Sequence, residues 1–433
     1  MQIFSIILMT SIFILLLKRR RLFAPEGIFF IGTAFYGLPL YYGHIQMVTS
    51  YSPLIYYSSE ASALQYLIYN CNACFCGIMG CCSNSPLQIF YHRIKNYLKN
   101  IFRKLSRFEE NKVIVDLKGF IERNMQTGLV LLNLVFLMLV VFYCQAYKYV
   151  GGSKLVFSKN LTSYYNWASL TTTYCFVYFV YSEKTKIEYI KIIPSILFLV
   201  IDLLMGYRLT TLLSLLSIFM VFSLKNKNIY RAKFFLFFTS IVSIMFIFKH
   251  IYFGGKLSQI FSSKIIIGSE PFTIAGTFEK TLQNITIVRE HIQNDGYFTN
   301  SFLQLFPFYE TLSGLRRVSF NKYIQLLFPE TIWGLASNTY TELMVLGGGY
   351  AICIYLSIIF LLIVLYKNVK NIHFKLSFCV FLPYILFYGY RNDFLYPIHV
   401  IKHFIIVNFL CIVSLIICFL FSKTYQSQFI FKR

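Results

Sequence analysis

Residues 341–366, TELMVLGGGYAICIYLSIIFLLIVLY, carry one charged side chain, Glu342, in 26 positions. A helix crosses the roughly 30 Å hydrocarbon layer of a bilayer with about 20 apolar residues, so this run is long enough to span. Runs of the same kind recur along the chain. Eleven are read here, at roughly 3–17, 27–43, 61–81, 127–147, 164–181, 189–205, 209–224, 233–249, 341–366, 374–390 and 401–421. The 433 residues are 57% hydrophobic and 13% charged, with a mean hydropathy of +0.62. No water-soluble core needs that much apolar sequence. The expected fold is all-α, a polytopic membrane protein of about 11 transmembrane helices. The first run reads as a retained anchor, because its basic cluster Lys18–Arg21 follows the apolar stretch instead of preceding it.

A net charge of +23 invites a nucleic-acid reading, but the placement of the charge argues against it. Most of the 40 Lys and Arg fall in alternate loops, nine of them between Arg93 and Arg123, whereas the loop 44–60 has none. Basic residues collect on the cytoplasmic side of membrane proteins, which puts the N-terminus outside and the C-terminus inside. An odd number of spans fits that orientation. Five of the eleven cysteines crowd at Cys71, Cys74, Cys76, Cys81 and Cys82. They lie in an apolar span without the His or second polar pair of a zinc site, so packing is the expected role and no metal is assigned. No phosphate-cradling Walker loop, dinucleotide fingerprint, zinc-protease motif or EF-hand occurs, and no cofactor is expected.

The chain divides into a transmembrane region 1–249 containing an inner loop 82–126, a large outer loop 250–340, and a second transmembrane region 341–433. In the inner loop, Leu87, Phe90, Ile94, Leu98, Ile101, Leu105 and Phe108 recur every three or four residues between basic residues. That spacing predicts an amphipathic helix lying on the anionic inner leaflet. In the outer loop, Phe278, Leu282, Ile285 and Ile292 mark the apolar face of one helix of about 17 residues ending before Gly296. Arg289 lies about 20–40° from Phe278, Leu282 and Ile285 on that helix, inside the apolar stripe.

Three arginines stand out because charge in or beside a span is costly unless it serves a purpose. They are Arg208 in Gly206-Tyr207-Arg208, Arg289, and Arg391 in Tyr390-Arg391-Asn392-Asp393. A planar fork of donors matches phosphate oxygens. Asp202 is near enough in sequence to orient Arg208. Snorkelling to headgroups is the structural alternative for Arg208, and an internal ion pair is the alternative for Arg289 and Arg391. Arg316 and Arg317 add further charge to the loop, and carboxylates stand at Glu270, Glu342 and Asp393. Asn338 and Glu342, four residues apart, share a helix face. The triplet Gly347-Gly348-Gly349 permits either close helix approach or a break around a cavity.

In these motifs, taken in order, the chain resembles the bacterial O-antigen polymerase family. The resemblance covers the topology of nearly the whole chain. It is carried by Gly206-Tyr207-Arg208 opening a span, Gly268-Ser269-Glu270-Pro271-Phe272 opening the large loop, Ser337 with Glu342 and the glycines after it, and Arg391-Asn392-Asp393-Phe394. It implies a GT-C-like glycosyltransferase of the bacterial inner membrane with a large periplasmic loop. Such an enzyme moves a glycan from undecaprenyl diphosphate to a new lipid-linked repeat unit without a nucleotide-sugar donor; direct displacement at the anomeric carbon, with no metal, predicts inversion. Its partners are then the lipid-linked oligosaccharide, membrane lipids and a chain-length regulator protein. Arg208, Arg289 and Arg391 would stabilise the departing diphosphate. Glu270, Glu342 and Asp393 are candidates to accept the hydroxyl proton. Tyr207, Asn338, Arg316 and Arg317 would contact substrate. An O-antigen ligase, which hands the glycan to lipid A-core, and a lipid-linked oligosaccharide flippase are the alternatives.

Overall fold

The computed structural model describes residues 1–42, 45–51, 54–59, 62–81, 112–149, 163–182, 185–205, 207–225, 270–303, 319–328, 338–391 and 395–430, with single residues at 96, 240, 243, 247, 306, 309, 312 and 314. In chain order the helices are α1 (Gln2–Lys18), α2 (Pro25–Tyr36), α3 (Leu38–Tyr42) and α4 (Ala63–Cys81). A β-hairpin, β1 (Ile45–Tyr51) and β2 (Leu54–Ser59), is inserted before α4. Then come α5 (Lys112–Met138), α6 (Ser163–Tyr181), α7 (Lys186–Lys191), α8 (Ile193–Leu204) and α9 (Leu209–Lys225). The remainder are α10 (Glu270–Gln283), α11 (Ile285–Asn294), α12 (Tyr297–Leu303), α13 (Asn321–Leu326), α14 (Thr339–Asn368), α15 (Ile372–Leu386) and α16 (Leu395–Ile430).

Among the described residues four helical stretches are long and apolar enough to cross a membrane: Asp116–Tyr143, Thr339–Asn368, Ile372–Tyr390 and His399–Ser422. The protein is a helical membrane protein. Among the described residues, local breakers divide some of the eleven apolar runs into short helices. The run 27–43 divides at Gly37 into α2 and the five-residue α3, and the run 189–205 divides at Ile192, just before Pro194. A 12-residue helix such as α2 is about 18 Å long, short of the hydrocarbon thickness. The run 233–249 and the amphipathic stretch 87–108 fall outside the described residues, apart from isolated positions. The helix α5 begins at Lys112, within the expected inner loop, and closes in a π-helical turn, Leu139–Tyr143.

The chain forms two compact units. The first comprises Met1–Ser83, Asn226–Lys367 and Phe381–Lys402. In it α1 and α4 run parallel, with Ile12 against Gly77 and Leu16 against Gly80. The end of α1, the start of α2, the end of α4 and the end of α14 meet at one face. There Glu26, with no exposed surface, lies 3.2 Å from the Lys367 ammonium and 3.9 Å from Arg21, while Lys367 also donates to the Met79 carbonyl at 3.2 Å.

The second unit comprises Asn84–Lys225, Asn368–Val380 and His403–Arg433. Its centre is α6, surrounded by α5, α8 and α9. Hydroxyls on α6 hold these helices together where lipid offers no hydrogen-bond partner. Thr171 and Thr172 each donate to Asn133 Oδ1 at 3.0 Å, and Asn133 donates to Ser195 at 2.8 Å. Ser169 pairs with Thr210 at 2.9 Å and Thr173 with Ser214 at 2.8 Å.

Candidate functional site

The first turns of α14 organise the site in the first unit. Asn338 caps the helix, accepting from the Thr341 N–H and hydroxyl at 2.7 Å each. An amide at this position satisfies donors that a helix start leaves unpaired. Next along the helix, Thr339 donates to the Gly389 carbonyl at 2.8 Å, Glu342 accepts from Tyr297 at 2.9 Å, and the Val345 carbonyl accepts from Arg289 Nε at 3.0 Å. These anchors follow at three-residue steps, about 4.5 Å apart along the axis. One short helical segment therefore holds both the turn that carries Arg391 and the helix that carries Arg289.

The turn 388–391 is held from below by a buried polar cluster. The Tyr390 hydroxyl pairs with Thr33 at 2.6 Å and accepts from Asn72 at 3.0 Å, while Asn72 also donates to Tyr340 at 2.9 Å. The Tyr390 ring stacks on Tyr36 at 5.9 Å, and a side-chain carbon at Gly32 would press within 3.0 Å of it. At the rim Arg391 donates to the Tyr388 hydroxyl at 2.6 Å with its guanidinium 5.3 Å from that ring.

Arg289 is found on different geometry from the one its sequence implies. The stripe from Phe278 to Ile292 lies on two helices and not one, because the helix breaks at Asn284, whose side chain donates to the Lys280 carbonyl at 2.9 Å. The break resets the phase. Val288 and Ile292 form the buried face of α11, in a cluster with Tyr297, Phe320, Tyr323 and Val345, and Arg289 is exposed beside it. Among the described residues Arg289 pairs with no carboxylate. It borders a cavity of about 300 Å³ whose other walls include Ile292, Gln293, Tyr297, Thr299 and Leu346.

The glycine triplet supplies a break: Gly348 has φ 60° and ψ −144°, interrupting α14 just after Val345 and Leu346 reach the cavity. Such a conformation is essentially confined to glycine and costs another residue about 1–3 kcal/mol. Gly348→Ala is expected to lower stability by that amount, read as a fall in the unfolding midpoint in detergent. Gly349→Ala, at a position with open space around it, is the comparison and should cost less.

A second clamp fixes the far edge of the cavity. Asp295, next to Gly296 (φ 58°), accepts from Tyr323 at 3.1 Å and from Lys322 at 3.3 Å. The Tyr323 and then the Lys322 hydrogen bonds hold its carboxyl below the usual range. A carboxyl depressed in the folded state contributes stability that is complete above its unfolded value, about 4, and is lost as pH falls through the folded one. Below about pH 4 the unfolding midpoint of Asp295→Asn should therefore fall less steeply with pH than that of the wild type. Equal slopes would show that the clamp does not couple to folding.

Arg208 opens α9 in the second unit, its carbonyl accepting from Leu212 at 3.0 Å. Tyr207 donates its N–H to the Asp202 carbonyl at 2.9 Å, and its ring lies 5.5 Å from that of Tyr165. Tyr165 donates to the buried Asp202 carboxylate, so that group is engaged within the unit. Glu270 is the first residue of α10, and its side chain, with Asp393, Arg316 and Arg317, falls outside the described residues.

Models of known protein families, curated proteins and solved structures give no match. The case for function therefore rests on side chains. Two residues central to the arrangement were missed in the sequence. Tyr297 carried no signal beyond following a turn at Asp295-Gly296. Glu26 did carry one: a carboxylate at the edge of an apolar run calls for a cationic partner.

Proposed function

We propose that this protein is a membrane glycosyltransferase of the O-antigen polymerase kind. In this reading it joins undecaprenyl-diphosphate-linked repeat units at the periplasmic face of the inner membrane, with its N-terminus outside. The observation that carries the reading is the position of Arg289. Its Nε is anchored on Val345 beside a cavity, no carboxylate engages its other nitrogens among the described residues, and 22 residues of α14 separate Val345 from Lys367. Along the helix that length is about 33 Å, comparable to one hydrocarbon thickness, which supports a cavity near one membrane surface and the basic cluster near the other. A lipid-linked diphosphate reaches such a place.

The reaction needs no activation beyond what the substrate carries. An acceptor sugar hydroxyl forms a bond to the anomeric carbon of the growing glycan, and the bond from that carbon to the diphosphate oxygen breaks. The electron pair leaves with the diphosphate, where Arg289 and Arg391 stabilise the developing charge; Arg208, in the second unit, is an independent candidate for that role. The hydroxyl proton passes to a carboxylate. Glu342 is buried against Tyr297 and better suited to holding that wall, which leaves Glu270 and Asp393 for the proton. Direct displacement inverts the anomeric centre.

Purified protein in lipid vesicles, given lipid-linked repeat units, should make long-chain product, which a flippase would not. Arg208→Ala, Arg289→Ala and Arg391→Ala should each stop it at unchanged protein level. Full-length product from all three variants would sink the proposal. In cells, deletion should leave lipopolysaccharide with one repeat unit; a bare core with polymer held on the carrier would mean a ligase instead.

A further inference from the structure

We infer that the cavity beside Arg289 is a sugar-phosphate subsite, in which Arg289 takes one phosphate and Gln293 and Thr299 select the sugar attached to it. The inference rests on the glycosyl-transfer reading and narrows it. A volume of about 300 Å³ lies at the bottom of the range for ligand pockets, so a headgroup-sized piece fits and an oligosaccharide does not. The walls are divided by chemistry. Ile292, Val345 and Leu346 supply an apolar side, and Arg289, Gln293 and Thr299 supply the polar groups.

The spacing suits the ligand. Arg289 and Gln293 are four residues apart on α11, hence on one face and about 6 Å apart along the axis. That is about the distance from a phosphate to the hydroxyls across the ring of the sugar it is attached to. Among the described residues no hydrogen bond engages the Gln293 carboxamide or the Thr299 hydroxyl, and both residues are exposed. The wall opposite them is fixed, because Tyr297 is held by Glu342 and the neighbouring turn by Asp295, Lys322 and Tyr323. Uncommitted donors on a rigid frame discriminate between ligands better than mobile ones do.

The full-length protein in detergent is titrated calorimetrically with inorganic phosphate and with a panel of sugar 1-phosphates. At least one sugar 1-phosphate should bind about tenfold more tightly than inorganic phosphate, the gain that one or two hydrogen bonds supply. Gln293→Ala and Thr299→Val should each shrink that ratio to less than about threefold, and Arg289→Ala should abolish binding of both probes. A ratio near one in the wild type, a ratio that survives both substitutions, or no binding of any probe overturns the inference. Lipid-linked repeat unit added in nanodiscs should displace the sugar 1-phosphate. Binding without displacement would assign the cavity to a soluble sugar phosphate and detach it from glycosyl transfer. If Arg289→Ala stops polymer synthesis while the ratio is near one, the glycosyltransferase stands and the sugar selection falls.

Discussion

Arg289→Ala lowers the rate of glycan transfer by about 100-fold in the proposed reaction, at unchanged abundance of folded protein. Removing one preorganised donor from a developing negative charge typically costs 10²–10³ in rate. The lower end is expected here because the side chain is exposed and water screens part of the interaction. Stability should hardly change, since the deletion removes one exposed side chain and a single hydrogen bond to Val345. Arg289→Lys restores the charge but neither the fork nor the Nε anchor, so about tenfold of the loss should remain. Lys280→Ala, on α10 and outside the cavity lining, is the control for loss of a cation from the same loop. Initial rates of chain extension in vesicles measure all three. An Arg289→Ala rate within twofold of the wild type would remove the arginine from the chemistry.

The sequence singled out Arg289 for a reason that the structure replaces. Periodicity is a local signal, and it was carried across Asn284, where the helix ends. What matters for Arg289 is its contact with Val345, 56 positions away, which no helical wheel contains. The glycine triplet was legible as a break or a close approach. Which of its three members would adopt a positive φ depends on packing. The hairpin strands at 45–51 and 54–59 are legible in the sequence: Val48, Thr49, Tyr51, Ile55, Tyr56 and Tyr57 are strand formers on either side of a Ser-Pro turn signal. The loop 44–60 enters the topology argument only through its lack of Lys and Arg. Composition identified a membrane protein directly. It counted apolar runs, however, and Gly37 and the break at Ile192 divide runs into helices too short to span. Partners such as Tyr297 with Glu342, or Glu26 with Lys367, are set by tertiary packing and leave only a one-sided trace in sequence.

Lys367→Met is expected to destabilise the protein by about 3 kcal/mol, and pairing it with Glu26→Leu should recover most of that loss. Glu26 has no exposed surface, sits at the second position of α2, and faces the last turn of α14 at 3.2 Å. Its negative charge is favoured at a helix start and the ammonium at a helix end, so both ends gain from the pair. Breaking a buried ion pair on one side costs about 3–5 kcal/mol, because the remaining charge has lost its counterion. The lower bound applies, since Lys367 keeps 18% exposure and Arg21 stays within 3.9 Å of the carboxylate to compensate in part. Replacing both members with apolar side chains removes the desolvation cost along with the attraction and is often neutral. Chemical unfolding in detergent separates the cases. A double variant as unstable as Lys367→Met alone would mean that the lysine acts chiefly through its bond to the Met79 carbonyl, holding α4 and not the carboxylate. Because this cluster lies about 33 Å along α14 from Val345, with the Gly348 break between them, the folded fraction of the single variant should keep its turnover. A loss of rate per folded molecule would show instead that α14 transmits strain past that break to the cavity.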